Sequence, residues 1–165
     1  MRENNRQKEA VSADAREAVE RYGDMLFRLC FVLLRNRQDA EDAVQDCFMR
    51  YLSKAPHFES GEHEKAWLLR VASNHCKNVL RFRHTHPSVS IEEIQPFSET
   101  ESDREILTVL LSLPCNYKTV LQLYYIEGYK TAEIASVLHL SLSTVKKRLE
   151  KGRKLLKEKY DLEDM

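Results

Sequence analysis

Residues 131–159, TAEIASVLHLSLSTVKKRLEKGRKLLKEK, carry two helical apolar patterns separated by a short turn. Thr131 can cap a brief helix running through Leu138, with Glu133 in its first turn placed favourably against the helix dipole. His139 to Ser141 forms the turn. Ser141 then caps a longer helix whose Leu142, Val145, Leu149 and Leu156 point inward. From Ser141 to Tyr160 there are eight bases against Glu150 and Glu158. A short helix, a tight turn and a long helix with a basic outer face make a helix-turn-helix candidate. In that geometry Ser143, Thr144, Lys146 and Lys147 reach base edges in a major groove, while Lys151, Arg153 and Lys154 lie along phosphates. An ordinary helical hairpin with a basic tail has the same pattern.

Upstream, Ile106, Val109, Leu110 and Leu113 continue the apolar spacing until Pro114 breaks it; Val120, Leu121 and Tyr124 resume it, and Gly128 marks a turn. Before that, Pro87 to Ser102 mixes Pro, Ser and acids without periodicity and reads as an acidic linker. On its far side Val19, Tyr22, Leu26, Leu29 and Leu33 recur at steps of 3 and 4, predicting a helix over about Ala15 to Arg35. A second helix starts near Asp39 and buries Ala40, Ala43, Val44, Cys47, Phe48 and Tyr51. Pro56 and Gly61 bracket a loop, and a third helix spans about Glu64 to Phe82 with Leu68, Ala72 and Val79 inward. The expected organisation is all-α: a disordered tail (1–14), a helical domain (15–86), a flexible linker (87–102), a helix-turn-helix domain (103–160) and a short tail (161–165).

Composition agrees. A chain of 165 residues and 19.4 kDa with four Gly and four Pro has few turns and no room for a large multidomain enzyme. The 26 basic and 26 acidic residues cancel, which excludes a uniformly basic nucleic-acid protein but not a segregated one. Segregation is what the chain shows, since Lys65, Arg70, Lys77, Arg81 and Arg83 form a block without acids, and the next block, through Glu105, is acidic. No stretch approaches the ~20 apolar residues of a membrane span, and the N-terminus has no signal-type apolar core. The reading is a cytoplasmic protein without stable membrane insertion. Cys30, Cys47, Cys76 and Cys115 form no CxxC pair and read as reduced, buried thiols. His75, Cys76, His84 and His86 lack a second ligand pair, so no metal, cofactor or catalytic residue is expected.

Two further faces carry chemistry. Trp67, Arg70, Asn74, Lys77 and Arg81 follow at steps of 3 and 4, so one face of the third helix holds an aromatic, an amide and three cations. Cations position phosphates, and an aromatic with an amide can stack on or hydrogen-bond to an unpaired base. On the second helix Asp42, Gln45, Asp46 and Met49 share a face, which suits docking better than catalysis because no nucleophile or metal spacing accompanies it. Either face could also be merely solvated.

The runs DAEDAVQDCFMRYL, then Phe58 with KAWLLRVASNHCKNVLRFR, then LPCNYKTVLQLYYIEGYKTAEIASVLHLSLSTVKKRLEKGRKLL, resemble in order the motifs of bacterial sigma factors of the extracytoplasmic-function (ECF) group. The resemblance implies a non-enzymatic, dissociable subunit that binds RNA polymerase core and recognises promoter DNA, with an anti-sigma factor as a further partner. It implies that Asp39, Asp42, Gln45, Asp46 and Met49 dock on the polymerase. It implies that Phe58, the loop Glu59 to Ala66, Trp67 and Asn74 capture a flipped base of the minus 10 element, with Arg70, Lys77 and Arg81 on its backbone. Ser143, Thr144, Lys146, Lys147, Arg148 and Lys151 match the minus 35 reader. His139 and Ser143 stand where Gly is common, and Gly152 replaces an expected Ala at a cost of ~1 kcal/mol in a helix interior. The rival expectation is a helix-turn-helix regulator acting without polymerase, which would need neither the Asp42 face nor the Trp67 face.

Overall fold

The computed structural model describes residues 2–83 and 100–163, all helical or in short connections. In chain order the helices are α1 (Arg2–Leu34), α2 (Arg37–Lys54), α3 (Gly61–Phe82), α4 (Glu101–Ser112), α5 (Cys115–Leu121), a π-helical turn (Gln122–Ile126), α6 (Thr131–Leu138) and α7 (Leu142–Glu163). The first three pack as one cluster and the rest as a second, with α1 and α3 touching both.

Local sequence explains most boundaries. Asn36 caps α2, its side chain accepting the Asp39 N–H at 2.9 Å, and Ser60 caps α3 by accepting the His63 N–H at 3.1 Å. Between α1 and α2 the chain turns at Arg35, which takes a left-handed φ of 59°. α1 buries Tyr22, Leu26, Leu29 and Leu33 as the spacing predicts, and Ala40, Ala43, Cys47 and Phe48 of α2 and Leu68, Ala72 and Cys76 of α3 close on that stripe. The buried residues of both units form one continuous core, because Leu110, Leu111 and Leu113 join it from the second cluster.

Several expectations need correcting. The tail expected over 1–14 is helical from Arg2 onward, continuous with α1; residues 2–18 contain no Gly or Pro and are rich in Ala, Glu and Arg, all strong helix formers. Likewise α7 runs through the expected tail as far as Glu163, and α4 begins at Glu101, inside the expected linker. Residues 84–99 lie outside the described residues, and they include most of that linker (87–99) as well as His84 and His86. Val19 and Leu142, expected inward, are 45% and 42% exposed.

Candidate nucleic-acid interface

α6, the turn and α7 form the helix-turn-helix. Thr131 is the first residue of α6 and Lys130 its cap; Glu133 reaches back to accept the Lys130 N–H at 2.7 Å. His139 ends α6 in the left-handed conformation (φ 54°, ψ 45°), the geometry expected at a position where Gly is common. Ser141 caps α7 by accepting the Thr144 N–H at 3.2 Å, and its hydroxyl also lies 2.7 Å from that of Thr144. Val145 and Leu149 are buried, while Ser143, Lys146, Lys147 and Lys151 are exposed on the outer face and Arg148 is half-buried. Arg153, expected along phosphates, is held internally: its Nε donates to the Tyr125 hydroxyl at 2.7 Å and its guanidinium lies over both Tyr124 and Tyr125.

Gly152 sits in a tight contact. A Cβ there would meet Leu121 Cδ1 at 3.1 Å and Cγ at 3.3 Å, with Tyr117 Cβ at 3.4 Å. The glycine lets α7 lie close on α5, so the cost expected from helix propensity is offset by packing.

Trp67 on α3 and Phe58 in the connection before it do not stand free. Phe58 stacks on Tyr51 (6.0 Å between centroids) and meets Trp67 and His63 edge-on at 5.8 and 5.3 Å. Tyr22 ties this region to α1, its hydroxyl donating to the Gly61 carbonyl at 3.1 Å. Beside the cluster opens a cleft of about 400 Å³, walled by Asp14, Glu17, Arg21, Tyr51, Phe58 and Glu64. Burial holds the Glu64 carboxyl above the usual range, with Arg21 pulling the other way. Three carboxylates against Arg21 and His57 make this cleft a poor phosphate site and a fair one for a base edge that donates hydrogen bonds.

Asn74 and Arg81 are exposed, but Arg70 and Lys77 meet the second unit. The Arg70 guanidinium donates to His139 Nε2, which must therefore be the unprotonated ring nitrogen. Burial holds the Lys77 amine below the usual lysine range, and the nearby Arg148 and Arg81 cations push it further down. Lys65 lies over the Tyr129 ring at 5.1 Å, and Arg28 faces Glu127 at 3.6 Å. The α3 cations and α7 thus face each other across a seam between the units, which nothing in the residue spacing indicated.

The acidic face of α2 is only partly free. Asp39 accepts a hydrogen bond from Arg83 at the end of α3, and that bond holds its carboxyl below the usual range. Asp46 Oδ2 lies 3.1 Å from both Arg50 Nε and His75 Nδ1. Asp42 accepts from Gln38 at 3.1 Å, and Gln45 and Met49 are exposed, Met49 by 59%. Next to them lies an apolar groove of about 430 Å³ between α1 and α2, lined by Val19, Phe27, Val44, Phe48, Met49 and Leu52. Periodicity gave no sign of it, since Val19 was assigned to the inward stripe of α1 and Leu52, 44% exposed, was given no role.

Cys30, Cys47 and Cys76 are buried, free thiols; burial pushes Cys47 up to about 12, and Cys76 is raised by its contact with Cys30 and then by burial. Among the described residues no group of His, Cys, Asp and Glu could hold a metal ion, and no helix is long and apolar enough to cross a membrane.

The geometry defines a class, an all-helical protein of two units whose second presents a helix-turn-helix. Comparison with known proteins refines it. The model for Sigma-70 region 2 matches residues 18–85, and that for Sigma-70, region 4 matches residues 103–156. Similar proteins include the ECF RNA polymerase sigma factor SigW of Bacillus subtilis (strain 168), 28% identical with 86% of each chain covered. The ECF RNA polymerase sigma factor SigE of Mycolicibacterium smegmatis is 28% identical over 86% of this chain and 60% of its own. Among solved structures, the sigma factor RpoE of Bartonella quintana, in complex with the anti-sigma factor NepR, superposes with a TM-score of 0.71 at 21% identity, covering 90% of this chain and 97% of its own. CnrH, in complex with the cytosolic domain of CnrY, gives 0.68 at 23%, covering 93% and 96%. The chain belongs to the sigma-70 family, in its ECF group: it is a transcription initiation factor and not an enzyme. A regulator acting without polymerase would have no use for a region 2, and residues 18–85 match one.

Proposed function

We propose that the two units divide the labour of promoter recognition residue by residue. Asp42, Gln45 and Met49, with the groove between α1 and α2, receive a helix of core polymerase: the groove takes its apolar side and the carboxylates its basic side. Asp39 and Asp46 join only through partners already held, Arg83 for the first and Arg50 and His75 for the second. Asn74 and the cluster of Phe58 and Trp67 take an unpaired base of the minus 10 element, and Arg70, Lys77 and Arg81 its backbone. Ser143, Lys146 and Lys147 read the minus 35 duplex, Thr144 acts largely through the α7 cap, and Arg148 and Lys151 lie on phosphate. Residues 15–86 and 103–160 would act as the two recognition domains and the acidic segment between them as the tether.

Since Arg70 and Lys77 are covered by His139 and the neighbourhood of Arg148, the seam has to part before both sets meet one promoter. An anti-sigma factor that clasps the units together would hold it shut; a partner of this kind is supported by the structural relative RpoE, which was solved with the anti-sigma factor NepR.

The observation that carries this reading is the coexistence on one chain of the docking face on α2, the amide-bearing face on α3 and a helix-turn-helix. Run-off transcription with purified core polymerase tests it. Asn74→Ala should reduce initiation on a duplex promoter far more than on a template already mismatched at minus 10. Asp42→Arg with Met49→Glu, both exposed and off the core, should abolish capture by core polymerase with unchanged circular dichroism. Equal losses on both templates would make Asn74 structural, and retained core capture would refute the α2 face.

A further inference from the structure

We propose that the seam between the two units contains a binding site for a small amphipathic carboxylate of the fatty-acid type, with Arg35 and Lys118 receiving the carboxylate and the surrounding leucines its chain. A cavity of about 320 Å³ opens there. Leu33 and Leu34 at the end of α1 and Leu80 of α3 wall it from the first unit, and Leu111 and Leu113 from the second. Arg35, Lys118 and Ser112 are the polar side chains that line it, and among the described residues no Asp or Glu does.

Lys118 is 3% exposed. Its ammonium donates to the Val32 carbonyl at 2.7 Å, and two further carbonyls, of Leu33 and Leu111, lie at a long 3.4 Å. These three carbonyls, two of them at long distance, take up the three N–H donors of the ammonium, so Lys118 offers a carboxylate its positive charge rather than a free donor. Arg35 adds a second cation, held at the cavity by its left-handed backbone, and its Nε is buried without a hydrogen-bond partner. Arg35 lies near enough for its like charge to disfavour a charged Lys118, and among the described residues no carboxylate in the cavity wall offsets it.

Two neighbouring cations in an apolar cavity without a counter-charge are electrostatically unfinished. A carboxylate would supply a paired acceptor for the guanidinium and a charged partner for the ammonium. A hydrocarbon chain would replace water against five leucines. The volume lies at the small end of ligand sites, roughly 300–1,000 Å³, so a medium-length chain fits and a long one does not. A simple inorganic anion satisfies only the charge, and an alcohol only the walls. Because those walls belong to both units, an occupied cavity ties the units together.

Calorimetric titration of the full chain with decanoate, at concentrations where it stays monomeric, tests the site, with decanol and acetate as partial ligands. Decanoate should bind saturably at one site, about tenfold or more tighter than decanol, the difference a charge-assisted hydrogen bond supplies. Acetate should show no saturable binding. Arg35→Asn tolerates the left-handed backbone while removing the charge, and should weaken decanoate about tenfold while leaving decanol unchanged. Lys118→Met should do the same, and if it fails to fold, Arg35→Asn and the ligand pair decide. Absence of saturable decanoate binding, equal affinity for decanoate and decanol, or wild-type decanoate affinity in Arg35→Asn would each overturn the proposal.

Discussion

Replacing Gly152 by Ala sets two known effects against each other at the base of the helix-turn-helix. Propensity favours the substitution, since Ala is better than Gly by ~1 kcal/mol in a helix interior. Packing opposes it. The new methyl would sit 3.1 Å from Leu121 Cδ1, 3.3 Å from its Cγ and 3.4 Å from Tyr117 Cβ. A flexible chain end could swing aside, but Cγ and Cβ are close to the backbone of α5, and Leu121 is 2% exposed with nowhere to go. Relief therefore requires α7 to move off α5, and overpacking of this kind costs ~1–3 kcal/mol. The difference is a net loss of ~0–2 kcal/mol, centred on ~1 kcal/mol, or a fall in melting temperature of roughly 3 °C for a chain of this size.

Urea unfolding of wild type, Gly152→Ala, Leu121→Ala and the double variant measures this. The midpoint should fall in Gly152→Ala with an unchanged slope. In the Leu121→Ala background, where the clash is gone, the same substitution should stabilise by ~1 kcal/mol, because only propensity remains. A Gly152→Ala protein more stable than wild type by about that amount would show that α7 does not lie against α5 at this distance.

Two predictions concern pH. Burial pushes the Lys118 amine down to about 8, with Cys115, Arg35 and Cys76 as the neighbouring groups, so above that value the folded chain has lost a proton that the unfolded chain keeps up to ~10.4. Stability should therefore gain a rising component between these two values, and Lys118→Met should remove it; an identical alkaline profile in the variant would refute this burial. Asp39, held low by Arg83, contributes stability that is present above the ordinary carboxylate pKa of ~3.9 and lost as pH falls through the lower folded value. Asp39→Asn should remove that part of the acid limb in a pH series of urea midpoints, and an unchanged acid limb would show the pair to be open in solution.

The parts of this fold that were legible from sequence are those fixed by neighbours in the chain. The Ser141 cap and the inward stripe of α1 follow from spacing within a few residues, while the left-handed turn at His139 was legible only through the resemblance, which has Gly common there. What was not legible depends on elements far apart in sequence. Gly152 looked like a weak residue in α7 because its reason, Leu121, lies on another helix. Lys118 sits in an apolar run, and no periodicity says that its ammonium will meet carbonyls at the end of α1. The Trp67 face was correctly read as cationic and amide-bearing, yet its partial burial under α6 and α7 could not be read. Conversely, the first residues of α1 were assigned to a tail for want of an apolar stripe, although their composition favours helix on its own.

The seam joins these observations. Apolar contact through Leu110, Leu111 and Leu113 favours the closed arrangement, and the Lys118 bond to Val32 pins it. The polar balance is less favourable. Arg28 and Glu127 are 3.6 Å apart with Arg28 substantially exposed, and such a pair contributes little. Burial disfavours the charged Lys77 amine, and the like charges of Arg148 and Arg81 add repulsion in smaller measure. That repulsion is stored in the closed form and is relieved either by separation or by a counter-charge. A polyanion engaging α3 and α7 together gains twice, from new phosphate contacts and from removal of the like-charge apposition. If the α3 and α7 cations position nucleic acid as proposed, the same groups weaken the seam, and the closed form is held by leucines and Lys118 against its own basic faces.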